Sequence, residues 1–118
     1  MRIGEVVKKI LNRCRGISEY DIDYENAKIL LKNDPNAILL DVRSPQEYKE
    51  GNLEKSINIP LYNLEKEVET KIKDKDCTII VYCQSGNRSR KAINILEKGG
   101  YKNLYNLAGG LDNLRWKS

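Results

Sequence analysis

The sequence predicts an α/β fold: a five-stranded, mostly parallel sheet with helices on both faces. Three observations carry that expectation. Short β-like runs alternate with helical stretches along the 118 residues, the order that gives crossover connections and parallel pairing. Two of the runs, Ala37 to Val42 and Cys77 to Tyr82, are almost continuously apolar, as in strands covered on both faces. Turn and cap signals punctuate the chain at each change of period. No internal repeat, low-complexity stretch or linker interrupts the pattern. Residues 17–118 therefore read as one domain, preceded by a basic helical extension over 1–16.

Ile17 to Ile22 suit a short first strand. Asp23 is the expected N-cap of a helix over 24–32, which places Tyr24, Ala27, Leu30 and Leu31 on one face. Asn33-Asp34-Pro35-Asn36 is a turn before the second strand, 37–42. Ser44-Pro45-Gln46-Glu47 combines a capping box with proline at the first helical position, and Gly51 supplies the stop. Ser56 to Ile59 form a short strand ended by Pro60, and Leu64, Val68 and Ile72 then mark a helical stripe. After strand 77–82 comes a polar loop, then a helix with Ala92, Ile95 and Leu96 inward that ends at Gly99-Gly100. Asn103 to Leu107 is the last strand. A short helix over 109–117 carries Trp116, whose expected role is core packing.

Hydrophobic residues make up 40% and charged residues 32%, the balance of an ordinary globular domain. No stretch approaches the ~20 apolar residues of a membrane span. Lys8-Lys9 follow Val6-Val7 too closely for a secretory leader, so a cytoplasmic protein is expected. Arg2, Lys8, Lys9, Arg13 and Arg15 against Glu5 alone account for the whole formal excess of +4. The body is neutral, which argues against a nucleic-acid binder with its basic face. Ile3, Val7, Ile10 and Leu11 fall at helical spacing in the extension; a solvated helix packed on the domain is the simple expectation, docking or a membrane surface the alternative. The cysteines are Cys14, Cys77 and Cys83, with no Cys-x-x-Cys pair and no histidine anywhere. That leaves neither a disulfide framework nor a zinc ligand set. A cysteine nucleophile here has to be activated by something other than imidazole.

Cys83 is the candidate. In an open α/β sheet, ligands bind beyond the C-terminal ends of the strands, and Cys83 directly follows the most apolar one. Gln84, Ser85, Gly86, Asn87, Arg88 and Ser89 lead from it into a helix. Such a loop can curl so that successive backbone N–H groups point inward as an anion-binding nest, to which the helix adds the positive end of its dipole. Arg88, Arg90 and Lys91 add positive charge, and no acidic residue occurs from 77 to 96. Together these take a free cysteine from ~8.5 toward roughly 3.5–7.5. Cys77 begins the same strand, ~20 Å away at ~3.3 Å per residue; that is too far for a disulfide, and it reads as an inert thiol. Asp41 and Arg43 follow the second strand. An ion pair or a cap is the simple expectation for them. The sharper one is that Arg43 reaches the active loop and supports it from behind.

At these residues the sequence resembles the rhodanese family. CQSGNRS, Cys83 to Ser89, is similar to the active loop of single-domain sulfurtransferases. LLDVRSPQEYKEGNLEKSINIP (39–60) is similar to the family's Asp-x-Arg motif, helix, Gly-His-Ile and Ala-Ile-Asn-Ile-Pro run, and NLAGGLDNLRW (106–116) to its closing Gly-Gly and tryptophan. The resemblance spans about residues 17–117. It implies a rhodanese-like domain that transfers sulfane sulfur from a small anionic donor, such as thiosulfate, to cyanide, a thiol or a protein through a Cys83 persulfide. Loop residues 84–89 would bind the donor and Arg88 would grip its charge, with no metal or organic cofactor and a monomer expected. The related phosphatases carry Cys-x5-Arg, whereas only four residues separate Cys83 from Arg88. The smaller ring is expected to suit one sulfur and to crowd a tetrahedral oxyanion. A small phosphatase or arsenate reductase, and a non-catalytic rhodanese-like interaction module, are the alternatives. Asn52 stands where the family usually has histidine, which puts local hydrogen bonding in question. Gly109-Gly110 is expected to allow close backbone approach near the loop.

Overall fold

A computed structural model describes residues 19–114. β1 (Asp21–Ile22), β2 (Ile38–Asp41), β3 (Ile57–Asn58), β4 (Thr78–Tyr82) and β5 (Asn103–Leu107) form one sheet in the order β1-β5-β4-β2-β3. All four pairings are parallel. The connections carry α1 (Tyr24–Asn33), α2 (Pro45–Glu50), α3 (Leu61–Lys71) and α4 (Asn87–Lys98), and a 3₁₀ turn at Gly110–Asn113 follows β5. The expected fold class is the observed one. No helix among the described residues is long and apolar enough to cross a membrane.

β4 is the central strand, and its alternation divides the core in two. Ile79 and Val81 point to the face covered by α3 and α4, among Leu64, Val68, Ala92 and Leu96. Ile80 and Tyr82 point to the face covered by α1, among Ile22, Ala27 and Leu107. The same alternation carries Cys83, one residue past the strand, onto the α3 and α4 side.

Local signals set most element ends. Asp23 caps α1 by accepting from the Asn26 amide at 2.8 Å. Both halves of the capping box at Ser44 and Glu47 are formed at the start of α2. Two expectations need correcting. Four of the five strands are shorter than the runs that encode them, the last alone keeping its expected bounds; the first, for example, spans only Asp21–Ile22 of the expected 17–22. On α4 the fully inward residues are Ser89, Ala92, Ile93 and Leu96, while Ile95 is only half-buried and packs at the core's margin. The i, i+3, i+4, i+7 stripe therefore starts from Ser89, which the loop holds against Cys83, and this phase turns Ile93 inward. The expected helix over 1–16, Cys14 and Trp116 lie outside the described residues.

Candidate active site

The site begins where β4 ends. Cys83 has no exposed surface, and its sulfur faces backbone donors rather than hydrocarbon alone. The Gly86 amide reaches Sγ at 3.0 Å and the Ser89 amide at 3.4 Å. Gly86 makes this possible by sitting in the left-handed region at φ 101°, where a side chain would be strained. No side chain caps α4, so its first-turn amides are left to the sulfur. Ser89 Oγ lies 3.6 Å from Sγ and donates to the Gly86 carbonyl at 3.0 Å. A turn about one torsion swings that proton to the sulfur.

Burial is the largest single influence on Cys83 and pushes its thiol up. The Ser89 hydroxyl and the amides of Ser89, Gly86 and Ser85 together outweigh it, and the thiol sits below its ordinary value. The ring of donors therefore favours the anion.

A second loop backs the first. The Leu111 amide donates to the Cys83 carbonyl at 3.0 Å, and the Asp112 amide to the Gln84 carbonyl at 2.8 Å. Asp112 also accepts from the Gln84 side chain at 2.7 Å. This approach requires glycine at 110, where a Cβ would come within 2.5 Å of the Cys83 carbonyl oxygen.

Arg88 stands at the rim. Its guanidinium makes a bidentate pair with Glu47, at 2.6 and 2.9 Å. Glu47 also accepts from the Ser44 amide and hydroxyl, each at 3.1 Å, so its carboxylate is held from both sides. The Arg88 hydrogen bonds, first among its influences, keep the Glu47 carboxyl at about 2. Asp41 and Arg43 form a different pair, which is buried. The Arg43 amide donates to Asp41 at 2.8 Å and its Nη2 at 2.7 Å, and the same Nη2 donates to the Gly51 carbonyl at 2.7 Å. Burial is the largest influence on Arg43 and pulls its pKa down, but the Asp41 carboxylate more than compensates and the guanidinium ends above its ordinary value.

The family model for the rhodanese-like domain matches residues 25–116, most of the chain. The chain belongs to the rhodanese-like family. A putative mitochondrial thiosulfate sulfurtransferase of Schizosaccharomyces pombe is 36% identical over 103 residues, covering 74% of this chain and 71% of that one. The thiosulfate sulfurtransferase PspE of Escherichia coli is 39% identical over 75 residues, covering 64% and 71%. A solved E. coli rhodanese with anions superposes with a TM-score of 0.60 at 34% identity, covering 69% of this chain and 94% of that one. The family also reaches into longer proteins: a tRNA uridine(34) hydroxylase of Sodalis glossinidius is 35% identical over 85 residues, only 24% of its length.

Within this rhodanese-like chain, Cys83 and the amides of Ser85, Gly86 and Ser89 come together as the sequence suggested. Gln84 turns its side chain to Asp112, and Asn87 opens α4 on the exposed side. Two expectations change. Arg88 does not present a free fork to a donor, because Glu47 occupies it. Arg43 does not reach the active loop; it ties Asp41 to the carbonyl that ends α2, and so braces the helix that carries Glu47. Asn52, in the place of the family's histidine, donates to the Tyr48 carbonyl at 2.9 Å and closes the same helix end. Glu47 and Asp112 are the site residues that sequence reasoning missed. The capping box identified Glu47, but only as a helix signal. A cleft of about 730 Å³ lies beside Asp23, Glu25 and Glu54; none of residues 83–89 lines it, and its carboxylates suit no anionic donor.

Proposed function

We propose that this rhodanese-type sulfurtransferase moves sulfane sulfur from a donor such as thiosulfate to a thiophilic acceptor through a Cys83 persulfide. The observation that carries the reading is the convergence of the Gly86 and Ser89 amides on Sγ. These groups stabilise negative charge on one sulfur without histidine. In the first half-reaction the Cys83 thiolate attacks the outer sulfur of thiosulfate. The S–S bond breaks, sulfite leaves with the electron pair, and the outer sulfur stays on Cys83. In the second, cyanide, a thiolate or a protein thiolate attacks that terminal sulfur, and Cys83 leaves as thiolate. Kinetics should be ping-pong. Gln84, Ser85, Gly86, Asn87, Arg88 and Ser89 surround the donor. Cys83 has no exposed surface, so the donor reaches it only when the site opens. On this reading the protein works in the cytoplasm, where a nucleophilic thiol stays reduced, with a monomer as the default for one small domain.

The test is intact-mass spectrometry after incubation with thiosulfate, alongside thiosulfate:cyanide turnover. One added sulfur on the wild type, absent from Cys83→Ser together with turnover, is the expected result. Persistent turnover in Cys83→Ser overturns the assignment. Hydrolysis of an aryl phosphate without sulfur transfer points to the phosphatase reading, and silence in both assays to an interaction module.

A further inference from the structure

We propose that Glu47 sets the charge preference for the sulfur donor: by engaging Arg88 at the rim, it selects donors of low charge over the thiosulfate dianion. The inference rests on the sulfurtransferase reading and deepens it.

Four observations carry it. Arg88 is the side-chain cation of the active loop, and both of its terminal nitrogens are committed to Glu47. Glu47 cannot swing aside cheaply, since the Ser44 amide and hydroxyl hold the same carboxylate. Of the cations that follow on α4, Arg90 is drawn toward Asp21 at 3.8 Å, and both Arg90 and Lys91 are exposed. Negative charge on Cys83 is felt at Arg88, so the pair and the reacting sulfur share one electrostatic field. The Arg88–Glu47 pair is thus neutral overall, and the amides around Sγ are left to hold the donor. Such dipoles suit a single charge, and a second negative charge on the donor meets in Arg88 a cation that Glu47 has already paired. The favoured donors are singly charged or neutral sulfane carriers, such as organic persulfides, in which the outer sulfur passes to Cys83 and a thiolate leaves with the electron pair.

Methanethiosulfonate is the discriminating probe. Its outer sulfur has the same neighbours as in thiosulfate, methanesulfinate leaves with the electron pair, and it carries one charge fewer. Glu47→Gln keeps the capping box, since glutamine serves at that position, while it removes the charge and one of the two acceptors that hold Arg88. Removing a half-exposed charge should raise kcat/KM by about threefold per donor charge, hence about threefold for methanethiosulfonate and about tenfold for thiosulfate, with both gains shrinking in high salt. Arg88→Gln leaves Glu47 unopposed and should lower both values in the same squared proportion. That second variant keeps the test available should the first fold poorly. Equal shifts for the two donors in either variant, or shifts that ignore salt, overturn the proposal in favour of a structural role. Failure of the underlying reading has a separate signature: no sulfur added to wild-type Cys83 by either donor.

Discussion

Cys77 and Cys83 stand at opposite ends of one strand, both buried, and are set for opposite behaviour. At the amino end, burial pushes the Cys77 thiol up, and Asp74, Asp34 and Asp76 push it further. At the carboxyl end, burial also pushes Cys83 up and is its largest influence, yet hydrogen bonds from Ser89, Gly86 and Ser85 reverse the outcome. Depth therefore does not decide which way a buried thiol's pKa moves. What separates the two thiols is the backbone each sulfur faces. The carboxyl end of a parallel strand opens on the unpaired N–H groups of the next helix, and the amino end on a loop that here carries carboxylates.

The most severe way to break the comparison is to delete each thiol. Cys83→Ser should reduce thiosulfate:cyanide turnover by at least about a thousandfold, because the covalent route is lost. Cys77→Ser should stay within roughly threefold of wild type, and a comparable loss there would put the chemistry at the wrong end of the strand. Next come the glycines that shape each end. Gly110→Ala drives a Cβ against the Cys83 and Gln84 carbonyls at a position with φ 61°, and should cost roughly 3 kcal/mol or more in urea melts. Gly100→Ala, beside Lys75 near the Cys77 end, meets nothing closer than 3.5 Å, and only its left-handed backbone, about 1–2 kcal/mol, is at stake. Equal costs would mean that the close approach to the active loop is not rigid.

Smaller effects sharpen the electrostatic contrast. Ser89→Ala removes one donor to the ionised sulfur. Alkylation of Cys83 at neutral pH should slow by about tenfold, the scale of one hydrogen bond to a charged group, with no change at Cys77. Finally, the pH dependence of iodoacetamide labelling, mapped peptide by peptide, should differ in sign relative to the ordinary thiol value of ~8.5. Cys83, depressed in the folded state, keeps its thiolate as pH falls below that value and loses it only on passing its own lower pKa. Cys77, raised, becomes reactive only above it. Coincident profiles would remove the basis for treating the loop as an activating ring.

Much of this was legible before any coordinates. The alternation of apolar runs with capped helices located five strands and four helices, and the glycine-bearing loop after the strongest strand pointed to Cys83, whose sulfur does meet the Gly86 and Ser89 amides. Ile95 was misjudged because hydrophobicity alone leaves a helix's phase open by a residue or two. The contact between Ser89 and Cys83 settles that phase, and it is a tertiary fact. Arg43 has the same explanation: its partner Asp41 was adjacent and readable, whereas the Gly51 carbonyl that takes its other bond is positioned by the end of α2.

The chain by itself determined the order of elements, the caps, and the placement of one cysteine before a helix N-terminus. These are periodic or short-range properties, written in residues that stand next to one another. Only the tertiary structure decided the charge of the rim. From 77 to 96 the sequence holds no acid, so Arg88 reads as an unopposed cation. Packing α2 beside the loop brings in a carboxylate from 41 residues away. Coulomb attraction follows distance in space, and no local pattern records that distance.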